Sequence, residues 1–279
     1  MKYRILFVLF IIGMSPAIAQ NTTSIKSKKH SFTYYLSWGY NKCWHTRSNI
    51  HFQNLNGQVN PKTGLVDYYD FTIYKAKAHD RPNYEGIKDI KNLTIPQYNV
   101  RFGIYFNDEM NDGIEISFDH TKYVMSDYQT LRLVGQIYGV PINKDTLIDP
   151  NKFLHFEHTD GANFLLVNYL KKFNLCKSKK EWFSLSIVTK YGAGIVIPRT
   201  DVRLFGNRIN NKFHIAGVVV GVEAGLRATV LKYAFVELTS RGTYAYYINS
   251  LVQGKQNGSA SQRFATLQAI ITAGIQVKI

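Results

Sequence analysis

"LQAIITAGIQVKI", residues 267–279, decides the fold of this chain. Leu267, Ala269, Ile271, Ala273, Ile275, Val277 and Ile279 alternate with Gln268, Thr272, Gly274, Gln276 and Lys278. A two-residue period marks a strand, because successive side chains point to opposite faces. Seven further segments repeat the pattern, at 32–41, 98–106, 114–119, 165–169, 185–192, 218–227 and 236–241. Helical periodicity is almost absent. Eight strands of roughly ten residues have the length a tilted strand needs to cross a bilayer.

Alternation has two senses. A soluble sandwich turns its apolar face inward, whereas a membrane barrel turns it towards lipid and fills its lumen with polar groups. The aromatics favour the barrel: Tyr34, Trp38, Tyr98, Phe106, Trp182, Tyr233, Phe235, Tyr244 and Tyr246 lie towards strand ends, as interfacial girdles do. On the polar face Arg101, Glu115, Asp119, Lys190, Glu223, Arg227, Glu237 and Arg241 mix both signs of charge, so they are expected to form a lumen ion network. Closure removes the sheet edges that lipid cannot satisfy. The expected fold is an all-β, eight-stranded, antiparallel, up-and-down transmembrane β-barrel.

Connection lengths agree. Residues 107–113 and 230–233 form tight turns and 171–182 a modest one, while 43–94, 124–162, 197–216 and 248–264 are long. Short periplasmic turns and long extracellular loops are the outer-membrane pattern. In the first long loop Phe71, Ile73 and Tyr74 alternate with Thr72 and Lys75, which predicts a hairpin extending the wall.

Residues 1–19 read as a secretory signal: Lys2 and Arg4, an apolar run from Ile5 to Met14, Pro16, and the small-x-small site Ala17-Ile18-Ala19. Residues 20–30 form a polar, flexible periplasmic lead, and 31–279 the barrel. After Ala19 no apolar run reaches the ~18 residues of a membrane helix. The formal charge of +15 suits anionic lipid or lipopolysaccharide, and no motif supports nucleic acid. Two cysteines imply no disulfide framework. Cys43 belongs at the outer end of the first strand and Cys176 at a periplasmic turn, roughly 25 Å or more apart across the wall.

The final residues "TAGIQVKI" resemble the C-terminal β-signal of outer-membrane barrels, with Thr272, Gly274 and Val277 in its pattern and Ile279 where an aromatic is usual. With the signal segment and the eight strands, the mature chain resembles the small outer-membrane β-barrel superfamily of OmpA-like and PagP-like proteins. The resemblance concerns architecture and carries no catalytic motif. It implies residence in a Gram-negative outer membrane, contact with its lipid and lipopolysaccharide, and recognition of the last strand by the barrel assembly machinery.

Seven of the eight histidines fall on the long-loop half: His45, His51, His79, His120, His155, His158 and His214, with His30 before the first strand. Long loops collect His, Asp and Arg simply because they are wet, and a solvated rim is the leading expectation for this set. Catalysis would need a His held by a carboxylate, which makes His155, His158, Asp160, His79 and Asp80 the candidates. His120 beside Asp119 is weaker, since strand neighbours point apart. Arg199, Asp201, Arg203, Arg208 and His214 are candidates for gripping lipid phosphate, the arginines by bidentate bonds. His155 and His158, three apart, would share a helix face but lie on opposite faces of a strand, and no metal motif is present. No metal or cofactor is expected. Eight strands leave a lumen that side chains fill, which disfavours a diffusion porin. The function expected is a structural, binding or envelope-complex role at the cell surface, as a monomer or a subunit. The alternative is a lipid A- or phospholipid-modifying acyltransferase or deacylase.

Overall fold

The computed structural model describes residues 31–57, 59, 64, 68–81, 97–106, 111–158, 160–253 and 258–279. The signal-like segment 1–19 and the lead 20–30 lie outside the described residues.

All eight alternating segments become strands of one antiparallel wall. These are β1 (Thr33–His45), β5 (Tyr98–Tyr105), β6 (Asp112–Asp119), β11 (Ala162–Lys177), β12 (Phe183–Pro198), β15 (Gly217–Val230), β16 (Ala234–Leu251) and β17 (Ser259–Lys278). They hydrogen-bond in that order, and β1 then pairs with β17 from Thr33↔Lys278 to His45↔Thr266, which returns the sheet to its start.

Burial settles the sense of the alternation. Along β17, Leu267, Ile271 and Ile275 are 53%, 51% and 61% exposed, whereas Gln268, Thr272 and Gln276 are at most 3% exposed. Val218, Val220 and Val222 on β15 are likewise exposed, and Glu223 and Arg227 are buried. Apolar outside and charged inside is untenable in water and natural in a bilayer, where the exposed side chains meet acyl chains. The wall is membrane-spanning.

The long loops fold too. Loop one carries β2 (Ser48–Asn54), β3 (Tyr69–Ala76) and β4 (Ala78–His79). Loop two carries β7 (Tyr123–Met125), β8 (Thr130–Ile137), β9 (Val140–Leu147) and β10 (Leu154–His158). Loop three carries β13 (Asp201–Leu204) and β14 (Asn207–Asn210). The predicted hairpin is β2–β3: β2 pairs with the far end of β17 at Ser259–Gln262, and β3, β8 and β9 extend the sheet beyond the wall. A second sheet runs β14-β13-β10-β7-β4 and joins three loops.

These strands bury an apolar core above the barrel. Phe52 stacks on Phe71 at 5.2 Å between ring centroids, and Phe156 meets Phe52 edge-on at 5.3 Å. Ile50, Ile73, Leu133, Leu154 and Leu204 fill the space around them, all at most 1% exposed. Instead of a wet rim, the loops form a packed cap. The physical reason is the surrounding solvent: beyond the lipid, alternating strands gain by turning their apolar faces inward.

Candidate functional site

The barrel interior and the cap present two sets of polar groups. Inside the wall, Lys190 Nζ lies 2.9 Å from Glu115 Oε2, 3.1 Å from Glu223 Oε1 and 3.0 Å from Glu237 Oε2. Arg241 reaches Glu223 and Asp119, each at 2.6 Å. Arg101 pairs with Asp119 and lies 3.7 Å from Glu223. Arg227 grips Glu237 through Nε and Nη2, both at 2.6 Å. Register makes this network: Lys190↔Glu223↔Arg241 and Arg227↔Glu237 are cross-strand partners. Such charges are tolerable without water only as neighbours. Nearer the short turns, Arg227 lies 4.0 Å above the Phe235 ring and 4.5 Å above the Tyr35 ring. Tyr35 donates to Glu115 at 2.6 Å. Paired charges and a cluster of tilted and edge-on rings occupy the barrel interior.

The cap disperses the histidine–carboxylate pairs that adjacency in sequence suggests. His158 points into the apolar core with no exposed surface. The Gln262 amide donates to its Nε2 at 3.2 Å, so the ring proton sits on Nδ1 and is donated to Thr200 Oγ1 at 3.0 Å. Burial pushes this imidazole down to about 3, so it is neutral. Asp160 turns away and pairs with Arg199 at 2.9 Å. Asp80 accepts from the Cys43 backbone N–H at 2.9 Å and from Gln97 at 3.2 Å. Among the described residues, the His79 ring bonds only the Asp80 carbonyl oxygen. His120 stacks on Tyr98 and bonds Asn163 at 2.7 Å, and burial lowers it to about 4.

The lipid-phosphate candidates have protein partners. Arg208 holds Asp201 bidentately, at 3.0 and 2.5 Å. Arg203 donates to Asn151 at 2.8 Å, and His214 Nε2 lies 2.5 Å from the Asn249 carbonyl oxygen.

His155 is different. It lies on the outer face of β10, opposite to His158, with Nδ1 2.9 Å from Asp127 and Nε2 3.3 Å from Glu157. Both carboxylates raise its pKa. Glu157 shares its strand face at spacing two, a signal readable in "LHFEH"; Asp127 arrives from beyond β7 and carries none. The carboxylates sit at opposite edges of the ring, and among the described residues no group of His, Cys, Asp and Glu converges on a metal.

A closed, lipid-facing antiparallel wall with a charged interior makes this chain an outer-membrane β-barrel of the small type. Comparison with solved structures finds similarity over most of the chain at low identity. Ail, the attachment invasion locus protein of Yersinia pestis, is 11% identical, with 88% of this chain and 98% of Ail covered and a TM-score of 0.33. Neisserial surface protein A is 10% identical, covering 89% and 97%, with a TM-score of 0.32. OprG from Pseudomonas aeruginosa is 9% identical, covering 89% and 97%, with a TM-score of 0.37. No family model and no curated protein matches the chain.

Proposed function

We propose that this chain is a sealed, non-conducting barrel whose folded cap is a binding surface for anionic lipopolysaccharide at the face of a Gram-negative cell. In this reading residues 1–19 are a cleaved export signal, 20–30 a periplasmic lead and 31–279 the barrel, placed by the assembly machinery through β17. The observation that carries the proposal is the apolar core that the loops share with the outer ends of the wall strands, which makes the cap a preorganised surface rather than loose strands. Exposed Lys42, Arg47, Lys75, Lys77 and Lys144 have no ion pair among the described residues, and they supply the positive field. Two measurements test it. In planar bilayers the purified protein gives no stepwise conductance, and open-channel currents would overturn the sealed reading. Charge reversal at Lys42, Arg47, Lys75 and Lys77 lowers lipopolysaccharide retention on the immobilised protein at least tenfold; unchanged retention overturns the binding reading.

The second reading, a lipid A- or phospholipid-modifying enzyme, is supported by His155, which Asp127 and Glu157 hold towards its protonated form, as suits a general acid. Mass spectrometry of lipid A and phospholipid from cells with wild-type or His155→Ala protein tests it, and identical spectra sink it.

A further inference from the structure

The short-turn mouth of the barrel holds a cavity of about 490 Å³ that neither reading uses. Thr33, Lys172, Lys177, Glu181, Lys232 and Lys278 lie on its wall, four cations to one carboxylate. Tyr35, Tyr105 and Phe235 cluster nearby under Arg227.

Lys172 is the informative residue. It projects inward from β11 and is 5% exposed. Among the described residues its ammonium makes no hydrogen bond and no ion pair, and Nζ lies 5.0 Å from the centroid of the Tyr105 ring. The reason is a charge count. On the inward faces of the wall, Arg101, Lys172, Lys190, Arg227 and Arg241 oppose Glu115, Asp119, Glu223 and Glu237. Among these carboxylates Glu237 is already held by Arg227 and Lys190. Among the described residues of the inward faces, Lys172 is the fifth cation against four carboxylates. An ammonium taken out of water without a counter-charge is costly, and the space beside it is open. A second lining group, the hydroxyl of Thr33, a residue 1% exposed, also lacks a hydrogen-bond partner among the described residues. Glu181 does not serve as the counter-ion, because Lys177 at 2.5 Å and Lys232 at 3.0 Å bracket it at the rim.

We propose that this cavity is an anion site for a phosphate group, in which Lys172 supplies the charge and Thr33 a hydrogen bond. The mouth faces the periplasm in barrels of this orientation, where the same chemistry comes either from a small phosphorylated solute or from an inner-leaflet phospholipid headgroup. About 490 Å³ accommodates a group of glycerol-phosphate size with room to spare.

Binding is measured on the full chain by calorimetry with inorganic phosphate and glycerol phosphate in neutral detergent, and by titration into nanodiscs of phosphatidylcholine with or without phosphatidylglycerol. Saturable binding of the soluble phosphates assigns a solute, and binding confined to phosphatidylglycerol discs assigns a headgroup; either supports the site, and neither in both arms overturns it. Lys172→Gln is expected to weaken binding at least tenfold and Thr33→Val about threefold, while Lys172→Arg retains it. Glu181→Gln lies on the exposed turn, so it does not depend on core packing. It is expected to strengthen binding several-fold by freeing Lys177 and Lys232. Unchanged affinity in both Lys172→Gln and Glu181→Gln overturns the proposal.

Discussion

His158 lies flat against Tyr247, ring centroids 5.0 Å apart and planes 10° from parallel. The contact joins the second loop to β16 and seats a neutral imidazole between a hydroxyl and an amide. Protonation would set a ring N–H against the Gln262 amide N–H and place a charge in an apolar core. The folded pKa of about 3 lies below the ordinary value of 6.5. His158 therefore contributes full stability above pH 6.5, and loses it progressively as the pH falls towards 3. His120, at about 4, adds in the same direction. Cap proteolysis at graded pH should rise over that window, and His158→Gln should flatten the rise. The full contribution is roughly 5 kcal/mol at most; a cap equally resistant at pH 4 and pH 7 would refute it.

Lys190 should be the residue the lumen tolerates losing least. Lys190→Met leaves Glu115, Glu223 and Glu237 without their shared cation and should destabilise the barrel by about 3–5 kcal/mol in urea unfolding from vesicles. Adding Glu223→Gln removes one surplus charge and should restore part of the loss. If the double variant is no better than the single, the network is not held by charge balance.

How far these features are readable in sequence depends on what surrounds each strand. Ile271 and Gln268 alternate, and so do Phe52 and Gln53, yet the apolar member faces lipid in the first pair and a protein core in the second. Period fixes which residues share a face and leaves open which face is inside. Signal segment, turn lengths and girdle supply that sense for the wall; nothing comparable marks the loops, so the cap reads as a rim. Charge pairs across neighbouring strands, such as Arg227 with Glu237, follow from alternation plus register. His155 with Asp127 does not, because a connection of 28 positions separates them. Lys172 hides in "KKF", where only register shows Lys171 outside on Asp112, at 2.8 Å, and Lys172 inside.

Gly103 makes room for a ring. A Cβ at this position would lie 2.2 Å from the Tyr35 ring, which passes over Gly103 to donate to Glu115 on the next strand. Gly103→Val should force Tyr35 aside, break that bond and lower stability by about 1–3 kcal/mol, as overpacking does. Tyr35→Ala should relieve the clash, so the double variant is expected to lose less than the sum of the singles. Strict additivity in denaturant titration would count against the contact.

Phe156 tests whether cap and barrel are separable. Its ring meets Phe52, Tyr123 and His158, all within the loops. Phe156→Ala opens a cavity there, which costs about 3–5 kcal/mol in a packed core. The wall has its own closed ladder of hydrogen bonds, including β1 against β17, and none of it passes through Phe156. Loss of the ring should therefore expose the loops to protease while the folded barrel keeps its heat-modifiable migration on gels. Lipopolysaccharide retention should fall with the cap, since an unfolded loop pays the ordering entropy that a packed one does not. Retained protease resistance would mean the second sheet stands without its core; a barrel that no longer assembles would mean that the cap helps to close the wall.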